Sequence, residues 1–313
     1  MSCRVQQIQS CPRRLGSLFV VVTCTLHAGH LEPFLPTIAD EQLKFIDVSH
    51  TQHLCVQRAD KVDMNLLMAG SARTYRITDA VLKTVDIADE LPLLEHNIKA
   101  MRIEASVYTI LGKHPRIAET LYIGGQKELI LLKYYRHGNL KDHIAKQPNI
   151  TTTERKRWAR QMIEGVAEIH RNGIRHSDIR LDQWLLDDDY NARLCDFNGS
   201  DFDTNERLGL EGIVSDRLEN PSHFMPRDPM EDSTVLSDLF ALGSTLYELD
   251  TGKEPFAGMF DEEHEDEITA LFEAGNYPEV NVLSFGALIL GCWKGEYETA
   301  LDLLRAGEKS CGL

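Results

Sequence analysis

The chain has 313 residues, 42% of them hydrophobic and 26% charged, the composition of a globular protein with room for one large or two small domains. A formal net charge of -16 argues against a nucleic-acid binder, which needs a basic face. The 7 cysteines are scattered with no CxxC pair, so neither a zinc site nor a disulfide framework is indicated, and a reducing, intracellular compartment is expected.

Residues 1–58 carry no motif and are broken by Pro33 and Pro36, and they read as an N-terminal extension. Within them Arg13-Arg14 precede an apolar run at residues 15–26. Such a run can be the h-region of a signal peptide, or a strand or an extension. It is too short to cross a bilayer as a helix, so no stable membrane insertion is expected.

From Met64 the pattern changes. Met64-Asn65-Leu66-Leu67-Met68 and Thr74-Tyr75-Arg76-Ile77 read as strands around a loop at Gly70, and Thr78-Asp79-Ala80 reads as a tight turn. Val81-Leu82-Lys83 begins a third strand, whose alternation separates Lys83 from the apolar Leu82. In residues 98–112, Ile98, Met101, Ala105, Val107, Tyr108 and Leu111 recur at helical spacing, with Glu104 early on that helix. Its tail runs into Lys113-His114-Pro115-Arg116-Ile117. Residues 121–132 read as a hairpin, followed by Lys133-Tyr134-Tyr135-Arg136-His137-Gly138-Asn139-Leu140. Residues 153–172 form an amphipathic helix with Trp158, Met162, Ile163, Val166 and Ile169 as its stripe, stopped by Asn172-Gly173.

Two carboxylates then stand out. Asp178 lies in His176-Ser177-Asp178-Ile179-Arg180-Leu181-Asp182-Gln183, a polar loop before an apolar run. Asp196 lies in Leu194-Cys195-Asp196-Phe197-Asn198, just after a short apolar strand. Phosphoryl transfer needs one carboxylate to orient or deprotonate the attacking hydroxyl and others to hold Mg²⁺ on the phosphates. Further on come residues 237–256, an acidic run at 261–267, and Gly291-Cys292-Trp293-Lys294-Gly295.

The order and spacing of these stretches resemble the eukaryotic protein kinase superfamily, over roughly residues 64–305. The resemblance implies an α+β, bilobal fold: a small antiparallel β N-lobe (about 59–135) and a mostly helical C-lobe (136–305), with 306–313 as a tail. It implies ATP and Mg²⁺ as cofactors and a protein hydroxyl as substrate, with transfer of the Ser/Thr type. Asp178 would be the base, with Arg180 and Lys83 beside it in catalysis. Asp196 and Gln183 would hold metal. Gly70, Val81, Lys83, Glu104, Lys133, Tyr135 and Leu185 would bind nucleotide, Lys83 through an ion pair with Glu104 and the hinge residues Lys133 and Tyr135 through their backbones. Leu132 would be the gatekeeper. ATP use goes with a cytoplasmic setting.

The departures are specific. One glycine remains where kinases place three, and either Gly70 matches the middle glycine or Thr74-Tyr75 match the pair that follows. Gln183 stands for the metal-binding Asn, one methylene longer, and Asn198 for the Gly of Asp-Phe-Gly, where Asn is the side chain that best tolerates positive φ. Ser177 stands for the Arg that grips an activation-loop phosphate, and Arg227 for a Glu of a C-lobe ion pair, so that pair is expected lost or inverted. A pseudokinase scaffold and a small-molecule kinase are the alternatives. The substrate and the oligomeric state have no signature in the sequence.

Overall fold

The computed structural model describes residues 72–77, 79–86, 90–147, 149–214, 219–228, 230–259 and 264–313 with their side chains, and strands before residue 72 by backbone alone. The chain divides into two compact units, Met1–Leu67 with Tyr75–Thr78, and Met68–Thr74 with Asp79–Leu313. In the first, strands β1 (Ser2–Val5), β2 (Phe19–Thr25), β3 (Leu43–Val48) and β4 (Thr51–Gln57) form an antiparallel sheet in the order β1-β2-β4-β3. Most of the apolar run that could be a signal h-region is therefore strand β2. Strands β5 (Asn65–Met68) and β6 (Ala72–Ile77) follow in the chain. Gly70 lies outside the described residues.

In the second unit, β7 (Ala80–Val85) pairs antiparallel with β9 (Leu129–Lys133), which pairs on its other edge with β8 (Thr120–Ile123). The β7 register sets Val81 opposite Leu132 and Lys83 opposite Ile130. Helix α1 (Leu91–Leu111) comes between β7 and β8. It starts two turns before the apolar stripe because Pro92 fits a first helical turn, where its missing N–H costs nothing. Leu91 and Leu93 there are exposed, so no core face marked those turns in the sequence.

The rest is helical around one core, as the α+β expectation required. Helix α2 (Leu140–Lys146) precedes α3 (Thr152–Arg171), which opens on a capping box between Thr151 and Glu154. Its stripe of Trp158, Met162, Ile163, Val166 and Ile169 is fully buried. Short strand pairs then frame two loops: β10 (Ile174–Arg175) with β13 (Asp201–Phe202), and β11 (Trp184–Leu186) with β12 (Ala192–Leu194). Helices α4 (Val235–Thr251), α5 (Glu265–Glu273), α6 (Gly286–Trp293) and α7 (Ala300–Ser310) complete the unit. No helix among the described residues is long and apolar enough to cross a membrane.

Two glycines set the approach of these pieces. Gly165 of α3 admits the Trp184 ring at the end of the loop that carries Asp178, since a Cβ there would meet Trp184 Cη2 at 2.9 Å. Gly243 of α4 admits α6, since a Cβ would meet Cys292 Cβ at 2.6 Å. Leaving glycine in a helix gains about 0.5–1 kcal/mol, but overpacking a core costs about 1–3 kcal/mol. Gly243→Val is therefore expected to lower the denaturant midpoint, by about 1–3 kcal/mol in unfolding free energy. An unchanged or raised midpoint would mean that α4 and α6 are not in this close contact.

Candidate active site

Three segments bring the candidate residues together. The alternation of β7 buries Leu82 in the core and turns Lys83 the other way, into a cleft where it is 9% exposed. Helix α1 supplies Glu104, fully buried, with Oε2 2.7 Å from Lys83 Nζ. Lys83 Nζ also contacts Asp196 Oδ1, so one ammonium bridges two carboxylates from distant parts of the chain. The expected pairing of Lys83 with Glu104 is present, and Asp196 joins it.

The loop 176–183 is held from below by Asp238 on the first turn of α4. Its Oδ2 accepts the His176 N–H at 2.8 Å and contacts His170 Nε2 at 2.8 Å, and its Oδ1 accepts the Ser177 N–H at 3.0 Å. Ser177 takes φ +62 and Asp196 φ +64, left-handed conformations that cost a non-glycine residue about 1–2 kcal/mol. His176 Nε2 donates to the Cys195 carbonyl at 3.0 Å, which ties the two unusual turns to each other. Asn198 does not take positive φ; the turn after Cys195 is made at Asp196. Phe197 is fully buried, edge-on to Tyr108 of α1 at 5.1 Å and tilted against His176 at 5.1 Å.

Asp178 is nearly buried and takes Arg180 as a fork: Nε to Oδ1 at 2.8 Å and Nη2 to Oδ2 at 3.1 Å. Gln183 Nε2 donates to Oδ2 at 2.9 Å. Burial pushes the Asp178 carboxyl up to about 7 against the pull of Arg180. Burial also works against the Lys83 ammonium, but Asp196 and Glu104 outweigh it and hold Lys83 protonated well above its ordinary range. Asp196 would likewise be raised by burial, and Lys83 holds it below the usual carboxylate range.

At the hinge, Leu132 is buried and the Lys133 N–H donates to the Glu119 carbonyl at 2.9 Å. Tyr135 turns its ring into the core, its hydroxyl accepting the Glu119 N–H at 2.9 Å. Its side chain is thus structural, and only its backbone remains for a ligand. Val81 and Leu185 are half-buried and pack against the core cluster.

A family profile described as "Protein kinase domain" matches residues 75–295. The chain belongs to the protein kinase family. It is 27% identical over 208 residues to human NUAK family SNF1-like kinase 1, covering 66% of this chain and 30% of that one. It is 28% identical over 178 residues to CBL-interacting protein kinase 3 of Oryza sativa subsp. japonica, covering 55% and 39%. CBL-interacting protein kinase 21 of the same plant is 26% identical over 218 residues, covering 66% and 41%. The chain thus spans less than half the length of each of these relatives.

Several contacts around this kinase cleft had no signature in the sequence. Arg175 joins Asp201 Oδ1 at 2.5 Å and Asp203 Oδ1 at 2.6 Å, tying the strand before His176 to the segment after Asn198. Arg175 thus holds the segment after Asn198 through two of that segment's own carboxylates. Arg227 pairs with Glu219 at 2.5 Å, both side chains buried, a partner 8 residues earlier on the same segment and not an acid late in the C-lobe. Beside the loop, Lys141 of α2 lies 2.5 Å from Glu254 and 3.4 Å from Glu248 of α4. The partners of Arg175 and Lys141 are 26 or more residues away in the chain, beyond any local spacing, whereas Arg227 and Glu219 are 8 apart.

Burial pushes Glu248 up to about 7 despite Lys141. Its folded value is above its unfolded value, so the folded chain keeps a proton that the unfolded chain has lost. Stability from this group is full below about pH 4.5 and is lost as pH rises through about 7. Wild type relative to Glu248→Gln is therefore expected to lose about 2–3 kcal/mol of unfolding free energy between pH 5 and pH 8. Denaturant titrations of both proteins at the two pH values check this, and a difference that is flat or rises with pH contradicts it.

Proposed function

We propose that this domain transfers the γ-phosphate of ATP to a serine or threonine hydroxyl of a protein substrate. The observation that carries the reading is the Lys83 bridge between Glu104 and Asp196, beside an Asp178 carboxylate already fixed by Arg180. Family membership and the kinases it resembles support it.

Each residue has a physical task. Lys83, kept charged by two carboxylates, would hold the nucleotide phosphates. Val81 and Leu185 would enclose the adenine, with hinge backbone at Lys133 and Tyr135 meeting its polar edge. Asp178 would orient the substrate hydroxyl and take its proton, for which a carboxyl near 7 is well matched to neutral pH. Arg180, beside Asp178, would offer its fork to the transferring phosphate.

Among the described residues no group of three or more His, Cys, Asp or Glu is arranged to hold a metal by itself. That fits Mg²⁺ in such a cleft, where one or two carboxylates act together with substrate phosphates and water. Asp196 would supply that carboxylate, while the Gln183 amide donates to Asp178 at 2.9 Å. Bound there, Mg²⁺ would offset the charge developing on the phosphates. We take the compartment to be the cytosol, since ATP is the donor.

A radiolabelled ATP assay tests the reading. Wild type is expected to label a peptide library with fixed Ser or Thr. Lys83→Met and Asp178→Asn are expected to lose at least about a hundredfold in rate, the scale of general acid–base catalysis, while both still unfold in one cooperative transition. Wild-type transfer should rise with pH through about 7 as Asp178 ionises. Equal rates in either variant would overturn the assignment.

A further inference from the structure

Gln183 ends the short 3-10 turn Leu181–Gln183 and is 6% exposed. Its main chain is tied on both sides: the N–H donates to the Arg180 carbonyl at 3.1 Å, and the carbonyl accepts the Cys195 N–H at 3.0 Å. From that fixed backbone the side chain reaches Asp178, with Nε2 2.9 Å from Oδ2. The same carboxylate is held by Arg180 through both oxygens.

The two donors respond differently to a nucleotide. Arg180 is a cation, 30% exposed, with a second carboxylate at Asp182 3.5 Å away. An incoming polyphosphate competes for its guanidinium, because the planar fork suits phosphate as well as carboxylate. Gln183 is neutral and enclosed, so a phosphate exerts little pull on it. Once Arg180 turns to the phosphate, the Gln183 amide is the donor left on the Asp178 carboxylate. A hydrogen bond to a charged group is one of the stronger ones, and Asp178 is useful only if its oxygen is aimed at the hydroxyl.

We propose that Gln183 is a positioning residue for this reaction, fixing the Asp178 carboxylate through its side-chain amide, and that its contribution to transfer runs through Asp178 and not through a metal ion. The proposal rests on the phosphotransfer reading above. Mg²⁺ already has a carboxylate in Asp196 and oxygens from phosphate and water, and a neutral amide adds little beside them.

The test uses the full chain as wild type, Gln183→Met and Gln183→Asn. Met keeps the length without the amide; Asn keeps the amide one methylene shorter. Bound Mn²⁺ is counted by electron paramagnetic resonance with a non-hydrolysable ATP analogue, and transfer from ATP to the Ser/Thr peptide library is measured beside it. The expected result is the same Mn²⁺ count and ATP KM in all three proteins, with kcat down about tenfold or more in Gln183→Met, the loss of one hydrogen bond to a charged group. Gln183→Asn is expected to fall as well, and it carries the test if Gln183→Met does not fold. A lower Mn²⁺ count in Gln183→Met, or a Gln183→Asn enzyme that gains a Mn²⁺ ion or runs faster at low Mg²⁺, overturns the proposal. So do unchanged kcat values in an active wild type. If wild type itself transfers no phosphate, the phosphotransfer reading falls first and this inference with it.

Discussion

The carboxylate of Asp238 fixes the geometry on which the site depends. It is almost fully buried at the first turn of α4, where the helix dipole favours an anion. It takes two backbone N–H groups and a histidine, and these hold its pKa below the ordinary carboxylate range although burial alone would raise it. In return it fixes His176 and Ser177 by their main chain, in a left-handed turn that no glycine eases. Asp178 follows directly, so the direction of the candidate base is set by a residue 60 positions further along. Breaking a buried charged contact of this kind costs several kcal/mol, because the partners stay behind unpaired.

Above that anchor, electrostatics explains why three carboxylates tolerate one another. Glu104, Asp196 and Asp178 each lose hydration in the cleft. Lys83 lies between the first two, and Arg180 forks onto the third. Burial raises the Glu104 carboxyl to about 7 even with Lys83 beside it, while Lys83 keeps its charge in that interior through the acids. The position of α1 is thus coupled to the turn at Asp196 through a single ammonium. Phe197 couples the same elements by packing, wedged between Tyr108 and His176.

Ser177 brings no cation to the loop, and the neighbouring Arg175 is committed to Asp201 and Asp203. The strand pair β10–β13 places Arg175 directly opposite Asp201, so the contact is a consequence of register.

The order of Lys83, Glu104, Asp178 and Asp196, with helical and strand periodicities around them, was enough to determine the fold class, and the structure joins Lys83 to Glu104 and Asp196. Those signals are local: alternation along β7, the stripe of α3, and the polar loop before Trp184. Helix α1 began earlier than its stripe because its first turns bury little, and hydrophobic periodicity marks only buried faces. Tertiary structure alone decided where Asn198 and Gln183 would point, since a side chain's partner depends on the segment folded against it. The same holds for Arg175, Arg227 and Lys141, whose carboxylates come from elsewhere in the chain or across a turn. Burial also belongs to the folded state: an Asp or Glu in the sequence has its ordinary pKa, and only packing moved Asp178 and Glu248 toward neutrality.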